Sequence, residues 1–401
     1  MLRLLLLIPS ICLAAPSLYN SPKSISYEYA STTTKVVTTG TKSVLFLRVE
    51  FSDVKFFQKN DAYFEDLISR FVDYYKEVSN GKLSIVATFS KTYTLYQTMG
   101  YYGAGTEKPS ELISDAKHNI NTTGYDHIMV LHAGCGSETS YIDEDILSQF
   151  TGQDSIIPEM EINGMSPLGV WCHEFAHYLG IPFHYFGYWS LMDMGCYNGN
   201  GEYPAHLDGY SKHKLDWVAP QQAENLTLSL KPTSTVYILS SGTEYFIIEW
   251  RERKGFDSFI PGEGFLAYHI KFGEMPVLYP ADNEWDRFGD SGDPYPGSTN
   301  RKEVVFAPGL TFKIITSAVV SVKAYPNPLN LARNNTVFFE APPRSSIKIY
   351  NIAGELVGEA KDENYIGKMR WRPKDIASGV YIFVAEDTDG NRGYGKIGVI
   401  K

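Results

Sequence analysis

The chain has 401 residues, 43% of them apolar, with 28 Tyr, 22 Phe and a formal net charge of −10. That length allows two or three domains, and that composition suits packed β-rich domains and excludes a disordered chain. The acidic balance, with no basic run, argues against a nucleic-acid partner.

The N-terminus reads as a secretory signal over residues 1–15: Arg3 carries the charge, residues 4–13 form the apolar stretch and Ala14-Ala15 the small-residue exit. Ile11 before Cys12 is too large for a lipoprotein cleavage site. No other stretch is long and apolar enough to span a bilayer. Cleavage leaves Cys135, Cys172 and Cys196, enough for one disulfide at most. A Cys135–Cys196 bridge is the pairing left open, while Cys172 reads as a small buried apolar residue.

Residues 16–41, rich in Ser, Thr and Tyr, read as a linker or short pro-segment. Residues 42–51 (KSVLFLRVEF) form a largely buried strand. Residues 61–78 show helical spacing through Phe64, Leu67, Ile68, Phe71, Val72 and Tyr75, ended by Asn80-Gly81. A strand over 83–89, a helix over 110–120 and a strand over 127–132 follow, an alternation that predicts a mixed α/β domain. The loop after the last strand, from Ala133 to Glu138, either lines a cleft or is a simple turn.

The sharpest signal is Cys172-His173-Glu174-Phe175-Ala176-His177-Tyr178-Leu179-Gly180. Histidines at i and i+4 share one face of a helix, where both imidazoles can bind one zinc ion. Glu174, beside the first His, points towards the open position, where it can take a proton from zinc-bound water. Ser166 as N-cap, Pro167 at the first helical position and Gly180 just past the end predict a helix over 167–179. Met192, in Trp189-Ser190-Leu191-Met192, follows at the short range where a Met-turn would put an apolar floor beneath the metal.

Residues 221–320 read as short strands. Asp282, Glu284, Asp286, Asp290 and Asp293 lie in a Gly-containing loop that is either a calcium site or a solvated loop. After a boundary near Val322, about eighty residues of short alternating strands, with a hairpin turn at Thr388-Asp389-Gly390-Asn391, predict an Ig-like β-sandwich.

Several blocks in order resemble secreted metalloproteases of the immune inhibitor A type: Asp73-Tyr74-Tyr75-Lys76-Glu77-Val78-Ser79-Asn80-Gly81-Lys82-Leu83, Leu131-His132-Ala133-Gly134, the zinc helix, Trp189-Ser190-Leu191-Met192, Pro204-Ala205-His206-Leu207 with Ser211-Lys212, and Gly289-Asp290-Ser291-Gly292-Asp293-Pro294. The tail resembles Ig-like modules related to flagellar hook-capping and type-nine secretion sorting domains, through Tyr325-Pro326-Asn327-Pro328, Ile349-Tyr350-Asn351-Ile352-Ala353-Gly354 and Ala377-Ser378-Gly379-Val380-Tyr381. The resemblance implies a bacterial, exported zinc endopeptidase with a sorting or attachment tail.

The expected architecture is an α+β metzincin-like catalytic domain with a mixed sheet and zinc helix (42–220), a β-rich segment completing it (221–322) and a C-terminal Ig-like β-sandwich (323–401). The family places an Asp three residues after the glycine, and many metzincins a His; here that position is Phe183, which cannot bind zinc, with His184 beside it. The expected metal ligands are His173, His177 and His184, with Glu174 as general base. Open alternatives are Glu202 as a distant third ligand, a site of two histidines and water, or a catalytically impaired binding protein on a protease scaffold. Met194 stands where some metzincins have an oxyanion-stabilising Tyr, which leaves Tyr197, Tyr203 and His206 as candidates. The expected partners are protein or peptide substrates, and a cell surface or secretion machinery through the tail; a monomer is expected.

Overall fold

The computed structural model describes residues 36–401 except 59, 104–107, 119, 137–145, 162–164, 231, 242–243, 272–273, 287, 298–300, 307–309, 316–319 and 389–391. The expected signal segment, most of the linker, and Asp389-Gly390-Asn391 of the expected hairpin turn lie outside the described residues. The chain divides into two compact units, the described part of 1–224 with 232–301, and 225–231 with 302–401. Sequence reading placed the main division near Val322.

In the first unit, β1 (Gly40–Glu50), α1 (Asp61–Val78), β2 (Leu83–Phe89), β3 (Tyr93–Thr94), α2 (Met99–Gly103), α3 (Lys108–Lys117), β4 (His127–Cys135), β5 (Gln149–Phe150), β6 (Ser155–Met160), α4 (Leu168–Tyr178) and α5 (Gly209–Lys214) follow in order. Strands β2-β1-β4-β6-β5 form one sheet in that order, with β3 on β1; β5 pairs antiparallel with β6 and the other pairs are parallel. Strand β1 is buried on both faces, which is why it reads as a continuous apolar run. Its even residues Val44 and Phe46 face one core with α1 and α4, and its odd residues Leu45, Leu47 and Val49 face another with Leu112, Ile113 and Ala116 of α3. Helix α1 grips α4 through Phe71 and Tyr75, whose rings meet Phe175 edge-on at 5.3 and 4.9 Å, and through the Tyr75 hydroxyl, which donates to the Cys172 carbonyl.

After β7 (Gln221–Ala223) and β8 (Asn225–Ser229), a second sheet of this unit is built from β9 (Tyr237–Ser241), β10 (Glu244–Arg251), β11 (Gly264–Lys271) and β12 (Val277–Leu278), in the order β12-β11-β10-β9-β7. Ile247, Leu266 and Tyr268 of this sheet share a core with Phe186, Trp189 and Ala205 from the loops that follow α4.

In the second unit, β13 (Glu303–Phe306) and β14 (Leu310–Ile315) join β8 in a three-stranded sheet. Then β15 (Lys323–Tyr325), β16 (Leu329–Asn330), β17 (Val337–Glu340), β18 (Ser346–Tyr350), β19 (Leu356–Lys361), β20 (Lys368–Trp371), β21 (Gly379–Glu386) and β22 (Arg392–Ile400) form two sheets, β15-β17-β20 and β16-β22-β21-β18-β19. Alternate residues of these strands, among them Val337, Phe339, Ile347, Ile349, Trp371 and Phe383, enclose one apolar core.

The expected fold class is corrected. The chain is mostly β, 36% strand against 19% helix, spread over several small sheets, and it is not described by a metzincin-like α+β catalytic domain built on a zinc helix. Period-2 alternation dominates the chain from residue 221 onward, whereas helical spacing is confined to a few short segments. One motif helix is a local signal and carries little information on how the remaining strands pair. The Cys135–Cys196 bridge is not formed. Among the described residues no helix is long and apolar enough to cross a membrane.

Candidate metal centre

Helix α4 starts one residue later than its sequence suggests, with Pro167 at the cap and the Ser166 hydroxyl 3.5 Å from the Leu168 N–H. Its second residue is Gly169, where a Cβ would fall 1.7 Å from the Cys196 carbonyl oxygen; only glycine lets the loop after Met192 lie this close to the helix. At the other end Gly180 has φ +95°. The Ile181 N–H reaches the Ala176 carbonyl and the Gly180 N–H the His177 carbonyl, the paired bonds of a Schellman cap.

That cap turns the Ile181 carbonyl to within 2.7 Å of His177 Nδ1. The Leu191 carbonyl stands 2.8 Å from His173 Nδ1. A carbonyl can only accept, so both Nδ1 atoms carry the proton and both Nε2 atoms keep a lone pair. The two rings lie 4.7 Å apart, edge to face. Burial, and for His173 the neighbouring His177, lowers their pKa values to about 3 and about 4, so both are neutral, the form that binds a metal.

His184 is 1% exposed. Its N–H donates to the Met192 carbonyl at 3.3 Å, and its Nδ1 lies 3.2 Å from Asp208 Oδ2. Burial opposes the charge of Asp208, but His184 and the Ser211 donors outweigh it and hold the carboxyl well below its ordinary range. His184 Nδ1–H therefore points at a carboxylate, and Nε2 is left buried without a partner. Met192 is fully buried and contributes its carbonyl to this arrangement.

Glu174 is buried, with Oε2 lacking a partner among the described residues. Burial first, and then Glu161, raise its pKa to about 8, against the Phe150 N–H that holds it down. The donor set, three imidazole Nε2 atoms and one carboxylate, fits zinc. Its spacing is wider than a common first shell. Among the described residues, the group of three or more ligand-type side chains whose donor atoms all lie within 4.8 Å of one another is Asp282, Glu284 and Asp290, not the histidines. Phe183, 58% exposed, sets its ring 4.9 and 4.7 Å from those of His173 and His177.

The other sequence candidates separate from this centre. Glu202 is held by Arg70, which donates to its carboxylate and its carbonyl. His206 bonds to Glu77 at 2.7 Å, and its N–H to Asp257 at 2.8 Å. Tyr203 packs on Phe259 and Tyr197 against the core of the first sheet. In the acidic loop, Asp293 takes the Trp189 indole N–H and the Asp290 N–H, and Asp286 takes the Gly289 N–H. A depression of about 630 Å³ along α1 is lined by Arg70, Asp73, Lys76 and Glu77, among others, and includes none of the centre's residues. Sequence reading missed Asp208 and Glu161. For Asp208 the signal was its N-cap position, three residues before Ser211 at the start of α5. Glu161 follows β6 with no motif to mark it.

No protein-family model and no curated protein matches the chain. Among solved structures it is similar to CopC from Methylosinus trichosporium OB3b, at 24% identity over 20% of this chain and 92% of that one with a TM-score of 0.16. It is also similar to domains 3 and 4 of rat CD4, at 12% over 45% and 100% with a TM-score of 0.17, and to dimeric latent PorU from Porphyromonas gingivalis, at 12% over 40% and 13% with a TM-score of 0.15. Likenesses of this size carry no argument about fold or activity.

Proposed function

We propose that this protein is an exported zinc-dependent endopeptidase, with activity of the immune inhibitor A kind, acting on protein or peptide substrates. One observation carries the reading: three buried imidazoles, His173, His177 and His184, have Nδ1 atoms committed to acceptors, and among the described residues neither His184 Nε2 nor the buried Glu174 Oε2 has a partner. His173, His177 and His184 hold the metal in this reading, and the Leu191 and Ile181 carbonyls and Asp208 aim the rings. Zinc, when bound, supplies Lewis acidity that acidifies water and polarises a peptide carbonyl. Glu174, as a carboxylate, would accept the proton of the attacking water and return it to the leaving amine. The second unit serves as a sorting or surface-attachment module.

A second reading, a surface-attached binding protein with an inert protease region, is favoured by the wide imidazole spacing and by Phe183 against both rings. Metal analysis of the purified chain with casein digestion, with and without chelator, separates the two. One zinc per chain and chelator-sensitive cleavage support the peptidase; a folded protein with neither overturns it. The same analysis counts calcium, for which Asp282, Glu284 and Asp290 are the candidate ligands.

A further inference from the structure

We propose that Glu249, on β10 of the second sheet, is a positioning residue for His184, acting through α5 and Asp208; this rests on the zinc reading of the centre. Asp208 can aim His184 only if its own place is fixed. It caps α5, accepting the Ser211 N–H on Oδ1 at 2.8 Å, and on Oδ2 the Ser211 hydroxyl at 2.8 Å and the Ser190 hydroxyl at 3.0 Å. Yet α5 is six residues long, too short to hold its shape alone.

Glu249 supplies the hold. It is 2% exposed and accepts from the Gly209 N–H at 3.0 Å and from Lys212 Nζ at 2.7 Å, so one carboxylate grips both the start and the second half of the helix. Tyr268 Oη and Arg251 Nη1 complete its shell at 2.8 and 3.3 Å. The seat is close: a Cβ on Gly209 would stand 3.0 Å from Ile247 and 3.3 Å from the Glu249 carboxyl carbon. Arg251 carries the brace to the other loop, donating to the Trp189 carbonyl at 2.9 Å while Asp257 holds its guanidinium. From that loop come the Ser190 hydroxyl on Asp208 and the Leu191 carbonyl on His173. Well-packed apolar side chains would stabilise such a core at least as well as buried charges. What the ionic chain adds is direction: it fixes the orientation of the two loops that aim the imidazoles.

The test uses the full chain carrying Glu249→Gln, with Lys212→Met as a milder second variant because breaking a buried pair can unfold the unit. Zinc affinity is measured by competition with a chromophoric chelator. The visible spectrum of the cobalt-loaded protein, which reports ligand number and geometry, is recorded beside it. Glu249→Gln is expected to bind zinc about tenfold more weakly with an altered cobalt spectrum, and Lys212→Met to shift both in the same direction by less, each with wild-type near-ultraviolet dichroism in the metal-free form. If Glu249→Gln does not fold, Lys212→Met decides. Wild-type affinity with an unchanged cobalt spectrum in the folded variants overturns the positioning role and leaves the zinc reading standing. A wild-type chain that takes up neither metal overturns both.

Discussion

The two units bury polar groups for different ends. In the second unit Asp362 and Ser345 serve the backbone: Asp362 accepts the N–H groups of Arg344, Ile366 and Gly367, and Ser345 donates to the Pro342 carbonyl. The apolar strand residues around them need nothing further. In the first unit buried polar side chains hold one another, from His184 through Asp208 and Ser211, and from Lys212 through Glu249 and Arg251 to Asp257. Yet four buried side-chain atoms of this unit, Glu174 Oε2, His184 Nε2, His213 Nδ1 and Trp250 Nε1, have no partner among the described residues. Two of the four, Glu174 Oε2 and His184 Nε2, belong to the proposed metal centre. The second unit offers no counterpart among its described residues.

The largest expected effects break that contrast at the open atoms. Glu174→Gln should lower peptide hydrolysis at least about a hundredfold with zinc still bound. His184→Ala should empty the site, as zinc stoichiometry on the purified variant will read. Unchanged zinc content would remove His184 from the ligand set, and full activity in Glu174→Gln would end the general-base assignment. Next in size is a core truncation in the other unit. Phe383 meets Phe339 edge-on at 5.2 Å inside the apolar sandwich, so Phe383→Ala should cost about 3–5 kcal/mol in the unfolding of that unit, followed by denaturant titration. Zinc content should not change; if it falls with Phe383, the units are not chemically separate.

Legibility followed the range of each signal. The zinc motif, the Gly180 stop and the apolar faces of α1 and β1 are local, because each is written in residues three, four or two apart. Helix α1 matches its expected span of 61–78, and the alternating tail strands enclose an apolar core. The fold class was misjudged because strand partners are chosen at long range: β8 pairs with β14, more than eighty residues away, and no periodicity within either strand says so. The ring-aiming groups divide in the same way. Ile181 sits four residues from His177, as a Schellman turn dictates, whereas Glu249 lies 40 residues from the Gly209 it holds and has no motif at all.

Two smaller effects sharpen the comparison. His127, at the start of β4, is buried between the Gln153 carbonyl, the Ser155 hydroxyl and the stacked Tyr178 ring, and burial lowers its pKa to about 3. The unfolded chain, with an ordinary histidine pKa near 6.5, takes up the proton first as pH falls. The stability this residue contributes is therefore complete above about 6.5 and is lost as pH falls towards 3, by about 2 kcal/mol at pH 5. His127→Gln should flatten that part of the pH profile of unfolding, which chemical denaturation between pH 5 and 7 will measure. An unaltered slope would mean that His127 is protonated in the folded protein.

Gly180→Ala is the mildest change and the most informative about how the helix end serves the centre. No heavy atom lies within 4 Å of an added Cβ, so packing contributes nothing, and the cost is the left-handed backbone alone, about 1 kcal/mol. If the Schellman turn survives that strain, the Ile181 carbonyl stays on His177 Nδ1 and zinc affinity is kept while the melting temperature falls by a few degrees. If the turn relaxes instead, the ring loses the acceptor that fixes its tautomer, and affinity falls together with stability. The first outcome makes Gly180 a helix stop; the second makes the stop part of the metal centre, because the same two hydrogen bonds that end α4 also aim its second histidine.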